Sequence, residues 1–211
     1  ERLAVRASYY MVTGDFPQCV KEYGELIAQF AADAIAHNNR ALCQSYLRNM
    51  REAVDGMRQA VRILPNRVMF RANLAIYSDY AGDFKTAEEE GKALAESDLG
   101  MLAVAFAQLG QGLIPEATET YQKLGTLGER GLSWSASGMG DLAVYQGRFS
   151  EAVRIFERGA NADLAAKNVD KAARKLISKA QVHLMLGQHG PAAAAAEKAL
   201  GAVGVKSAGG V

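Results

Sequence analysis

Apolar residues along this chain fall at spacings of three and four, in stretches of roughly a dozen residues that end at a glycine or a polar turn. Leu74, Ala75, Ser78 and Ala81 precede Gly82, while Val54, Met57, Ala60, Val61 and Leu64 follow a turn near Asn49. That spacing predicts amphipathic helices joined by short turns. The turns resemble one another. Gly14-Asp15-Phe16-Pro17-Gln18-Cys19-Val20 returns as Gly82-Asp83-Phe84-Lys85-Thr86-Ala87-Glu88, and as Gly112-Leu113-Ile114-Pro115-Glu116-Ala117-Thr118. A further copy is Gly147-Arg148-Phe149-Ser150-Glu151-Ala152-Val153, with weaker ones at 48–54 and 187–193. Taking the small residue as marker, Cys19, Ala53, Ala87, Ala117, Ala152 and Ala192 follow at steps of 34, 34, 30, 35 and 40 residues.

The motif has a physical sense. Glycine adopts the left-handed conformation that ends a helix, a large apolar side chain plugs the turn, and a second helix starts at once. Pro17, Pro115 and Pro191 fall at the start of that second helix, where a missing N–H costs nothing. Pro65 falls where a helix has to stop. The prolines therefore punctuate helical hairpins.

A repeat of this length, with small residues where paired helices touch, resembles the tetratricopeptide repeat, a helix–turn–helix unit of 34 residues. With Ala53 at position 20 of that unit, Ala41 falls at 8, Ala60 at 27 and Pro65 at 32, all as the family's pattern has them. Ala75, Gly82 and Ala87 match in the third copy, and Gly140, Gly147, Ala152 and Phe156 in the fifth. The aromatic expected at position 4 is missing throughout. The resemblance implies an all-α fold, a right-handed α-solenoid of about six repeats, over 1–33, 34–67, 68–97, 98–131, 132–160 and 161–200. Residues 201–211 read as a flexible tail or a linker to further repeats. The long last step is read as an extended first helix of the sixth repeat, from about Ala162 to Leu186.

By the same resemblance, the first helices line a concave groove that holds a protein or peptide segment. Transferred position by position, the second repeat offers Ile35, Asn38, Asn39, Leu42 and Tyr46; the third offers Met69, Ala72, Asn73, Ile76, Asp79 and Tyr80. The fourth offers Leu102, Ala103 and Phe106, and the fifth Trp134, Ser137, Asp141 and Tyr145. Asn39 and Asn73 occupy the position where relatives grip a peptide backbone, since an amide both donates and accepts. The alternative is that each Asn bonds to a neighbouring helix. The clamp for chaperone tails needs cations where this chain has Ala4, Met69 and Asn73, so an acidic tail is not the expected partner. The face suits an apolar or helical segment better.

Composition then narrows the function. Alanine fills 38 positions and glycine 21, as closely touching helix pairs and their turns require. Lys and Arg number 24 against 23 Asp and Glu, a formal net charge of +1, without the basic field of a nucleic-acid binder. No apolar run reaches the roughly 18 residues that span a bilayer. Two cysteines, Cys19 and Cys43, are too few for a stapled scaffold, so a reducing, cytoplasmic setting is expected, with Cys19 a buried thiol in the small-residue slot. His37 lies in the second repeat and His183 and His189 in the sixth, and no metal-ligand set is read from them. Gly125 to Gly131 reads as the linker between repeats four and five, and no nucleophile, base and orienting group can be assembled. Neither cofactor nor metal nor catalysis is expected.

The leading expectation is a non-catalytic scaffold for protein–protein interaction. The runner-up is a regulatory or self-association module of a larger signalling protein. Asp141-Leu142-Ala143-Val144-Tyr145-Gln146-Gly147-Arg148-Phe149 resembles the repeat regions that follow bacterial Ser/Thr kinase domains. The start inside a helix reads as a truncation. The alanine-rich end lacks a polar cap, which implies further repeats or a homo-oligomer through that end.

Overall fold

A computed structural model of the chain describes residues 2–94 and 97–204. The described residues form twelve α-helices and no strand. They pair in chain order: α1 (Arg2–Thr13) with α2 (Phe16–Gln29), α3 (Ala34–Tyr46) with α4 (Met50–Ile63), and α5 (Val68–Ala81) with α6 (Phe84–Lys92). Then follow α7 (Asp98–Gly110) and α8 (Ile114–Leu124), α9 (Gly128–Tyr145) and α10 (Phe149–Ala165), and α11 (Val169–Met185) and α12 (His189–Ala202). The chain divides into two compact units, 1–117 and 118–211, with the division inside α8.

The hairpin turns form as their residues demand. Gly14, Gly82, Gly112, Gly147 and Gly187 all have φ between 70° and 80°. After four of them the next residue's N–H reaches back five positions, Asp83 to Ser78, Leu113 to Gln108, Arg148 to Ala143 and Gln188 to His183, at 2.8 to 2.9 Å. This bond ties off the helix end that glycine makes reachable. The second hairpin makes the same bond, Asn49 N–H to the Gln44 carbonyl at 3.0 Å, with Arg48 at φ 64° in the glycine position. Asp15, Asp33 and Asp83 cap the helices that follow them by accepting backbone N–H bonds. The Thr86 hydroxyl and amide that bond to Asp83 hold its carboxyl below the usual range, with Arg58 adding to the effect.

The small-residue slots are closed. Cys19, Ala53, Ala87, Ala117 and Ala152 have no exposed surface, and Ala192 has 4%. In the first unit, Met57, Phe70, Leu74 and Tyr77 pack around Ala41 and Ala53, and Tyr23 and Leu26 around Ala7 and Ala36. In the second, Phe156, Ile155 and Val182 pack on Ala143 and Ala152, and Leu176 on Ala160, Ala173 and Ala199.

Three expectations need correction. The sixth repeat does not begin with an extended helix at 162: α10 runs on to Ala165 and α11 starts at Val169. Lys167, at φ 60°, makes the glycine-type turn there, and Asn168 N–H bonds to the Asp163 carbonyl at 2.8 Å. The surplus residues lengthen α9, α10 and α11 to 18, 17 and 17 residues, whereas the short step before the fourth repeat appears as a nine-residue α6. Second, only the first part of 125–131 is a linker, because α9 begins at Gly128. Gly131 is already helical there, so close to the Leu124 carbonyl that a β-carbon would overlap it. Third, Cys19 on α2 is not a buried thiol but forms a disulfide with Cys43 on α3, with Cα atoms 6.3 Å apart. Antiparallel packing of the two helices brings together residues 24 positions apart, which spacing along the chain does not reveal.

Candidate functional site

In the first unit the asparagines form a hydrogen-bonded row. Asn39 Nδ2 donates to the Tyr23 hydroxyl at 2.9 Å, and that hydroxyl also pairs with Ser8 Oγ at 3.2 Å. Asn38 Nδ2 donates to Asn39 Oδ1, and Asn73 Nδ2 to Asn38 Oδ1, each at 2.9 Å. The row therefore joins α1, α2, α3 and α5. By position in the sequence these amides either grip a partner or bond to a neighbouring helix. Their mutual bonds are of the second kind, yet each NH₂ uses one of its two hydrogens, and no hydrogen bond reaches Asn73 Oδ1 among the described residues. Spare donors and an acceptor remain, in fixed orientations.

Large apolar side chains flank the row. Ile35, Tyr46, Met69 and Tyr80 are each more than half exposed, and Tyr46 stacks on Phe16 with ring centroids 4.4 Å apart. Leu42 and Ile76 are half-buried, packed on the core beneath. Phe106 on α7 is half-buried as well. Three expected groove positions do not line a surface at all: Ala72, Asp79 and Ala103 are buried. Asp79 is unusual, because both carboxylate oxygens lack hydrogen-bond partners among the described residues, as does the Ser78 hydroxyl. Burial pushes the Asp79 carboxyl up to about 8.

The second unit holds four residues expected at the groove, of which Ser137 is half-buried. Tyr145 and Asp141 are exposed, and half-buried Trp134 carries the Arg130 guanidinium 5.2 Å from its ring centroid. Its main polar feature was missed in the sequence. Lys175 of α11 donates to Asp163 Oδ2 at 2.7 Å and to Ser133 Oγ at 2.9 Å, and Ser133 donates to the same carboxylate oxygen at 3.0 Å. All three side chains are buried, beside a cavity of about 490 Å³ between α9 and α10 lined by Leu132, Ala136, Met139, Ile155 and Ala162. Gly159 makes room for the lysine stem: a β-carbon there would lie 2.9 Å from Lys175 Cδ. The partners come from three helices, 30 and 42 residues apart from Ser133, so no local motif announces them. The cluster ties α9, α10 and α11 together.

No group of three or more His, Cys, Asp and Glu fit to hold a metal occurs among the described residues, and none of their helices is long and apolar enough to cross a membrane.

No protein-family model matches the chain, and no curated protein does. Solved structures do. A tetratricopeptide repeat protein from Parabacteroides merdae superposes with a TM-score of 0.76 at 14% identity, covering 94% of this chain and 77% of its own. PilW, a type IV pilus biogenesis factor, gives 0.67 at 16% identity, over 95% and 93%. NprR in complex with its cognate peptide NprX gives 0.59 at 13% identity, over 93% and 64%. The fold is that of the tetratricopeptide-repeat proteins.

Proposed function

We propose that the chain is a non-catalytic interaction scaffold, and that the first-helix face of its first unit holds an extended partner segment with apolar side chains. The hydrogen-bonded row Tyr23–Asn39–Asn38–Asn73, flanked by exposed Ile35, Tyr46, Met69 and Tyr80, carries this reading. Fixed amides match a peptide backbone without demanding a sequence, and the apolar residues select what hangs from it. NprR, a neighbour by fold, was solved with a peptide bound. Selection from a library of random short peptides supplies a binder, and Asn39→Ala with Asn73→Ala then weakens it by about tenfold or more, near 1.4 kcal/mol. Undiminished binding by a double variant of unchanged helicity overturns the assignment.

A second reading, self-association within a larger signalling protein, draws on Ile177, Leu184 and Met185 of α11, which are all about half exposed. A molar mass in light scattering that stays monomeric as concentration rises refutes it. As to setting, the Cys19–Cys43 bond favours an oxidising compartment over the cytoplasm.

A further inference from the structure

The disulfide and the first bond of the amide row lie on one helix seam. Cys19 and Tyr23 are one turn apart on α2, and Asn39 and Cys43 one turn apart on α3. The helices run antiparallel across the short turn at 30–33, so Cys19 meets Cys43 and, one turn along, Tyr23 meets Asn39. Both cysteines are fully buried and Tyr23 is 2% exposed. The Tyr23 hydroxyl thus stands where α1, α2 and α3 converge, and Asn38 and Asn73 hang from the amide it holds.

We propose that the Cys19–Cys43 disulfide and Tyr23 are positioning elements of the partner-binding face, so that the oxidised chain presents the amide row and the reduced chain loses it. This rests on the reading of the first unit as a partner-binding face. The covalent tie between α2 and α3 lies one turn, about 5.4 Å along each helix, from the Tyr23–Asn39 bond, and cutting it frees the two helices to shift at that seam. The 2.9 Å hydrogen bond is lost once such a shift lengthens it by more than about half an ångström. Asn39 then turns freely, and Asn38 and Asn73 lose the acceptor chain that aligns them. Closing the bond removes two protons and two electrons from the thiols. The electrons pass to the disulfide of a thiol oxidant, which leaves as a dithiol, and reduction by an external dithiol reverses the exchange.

The reference is the full chain, oxidised, in which a thiol count after denaturation is expected to find none; a count of two overturns the proposal. Alanine fills the slot of Cys19 in the other five repeats, so Cys19→Ala with Cys43→Ala is the folded comparison, alongside chain reduced by a phosphine. In both, NMR is expected to show the side-chain amide signals of Asn38 and Asn39 shifted, with their solvent exchange at least tenfold faster, while backbone amides of α9 to α11 stay put. Tyr23→Phe is expected to move the same signals with the disulfide intact, which a bond acting only as a staple would not do. Peptides selected on the oxidised chain bind the reduced one about tenfold more weakly. Amide signals that ignore reduction, or loss of helicity in the alanine variant, overturn the positioning role. A library that yields no binder sinks the partner-binding reading instead, and the two failures are thereby told apart.

Discussion

Gly140 of α9 lies directly beneath the ring of Phe156 of α10, leaving no room for a β-carbon between helix and ring. Phe156 is 1% exposed and cannot swing away. The same device recurs where Gly138 meets Tyr121 and where Gly110 meets Phe84. Gly140→Ala is therefore expected to lower stability by about 1–3 kcal/mol through overpacking. Gly24, in mid-α2, gives the opposite sign, since its nearest neighbour would be Arg40 Nε at an ordinary 3.7 Å. Gly24→Ala is expected to add about 0.5–1 kcal/mol by removing backbone freedom from the unfolded chain. Urea midpoints of the two variants moving the same way would contradict this account of the glycines.

Arg48 and Lys167 hold the left-handed turn conformation that glycine holds in the other hairpins, at φ 64° and 60°. A side chain there costs about 1–2 kcal/mol, part of which glycine returns as unfolded-state entropy. Arg48→Gly and Lys167→Gly are each expected to raise stability by about 0.5–1 kcal/mol. Circular dichroism melts at or below the parent midpoint for both would show that something other than φ decides these turns.

The same two residues show what the sequence discloses. Hairpins with glycine at the turn were read directly, because the residue type and the backbone conformation require each other. The turn at Lys167 carries no such mark, so the α10–α11 boundary was misplaced although the repeat count was right. The candidate face divides similarly. Helical register puts Asn39, Tyr46, Asn73 and Tyr80 on first helices, but it is silent on which amide bonds to which. Tyr23 is absent from any groove position since it belongs to a second helix and reaches the row by its hydroxyl alone. The Cys19–Cys43 bond and the Ser133–Asp163–Lys175 cluster were hidden for one reason: each joins helices whose facing residues are set by packing, far apart in the chain.

Lys175 is held by a single carboxylate and a single hydroxyl. Lys175→Met leaves the Asp163 charge buried without its counterion and is expected to cost about 3–5 kcal/mol. Adding Asp163→Leu removes that charge as well, and most of the loss is expected to return, because a buried pair contributes little beyond a well-packed apolar one. Equilibrium urea unfolding of both variants measures this. A double variant no better than Lys175→Met alone would mean that the hydrogen-bond geometry, rather than the charge balance, holds α9, α10 and α11 together.

Asp79 sets a pH dependence whose sign follows from its position. Its carboxyl is raised to about 8 in the fold from 3.8, and desolvation is the cause. The folded chain thus binds more protons than the unfolded one between those values, and stability falls as pH rises through the interval. Below about pH 4 both states are protonated and the penalty vanishes; above about pH 8 it is complete. Asp79→Asn keeps the shape and cannot ionise. Relative to the parent, it is expected to gain nothing at about pH 4 and on the order of a few kcal/mol at about pH 8.5, with the gap widening between them. Unfolding midpoints of parent and variant that run parallel across this range would require a hydrogen-bond donor at Asp79 in the folded chain.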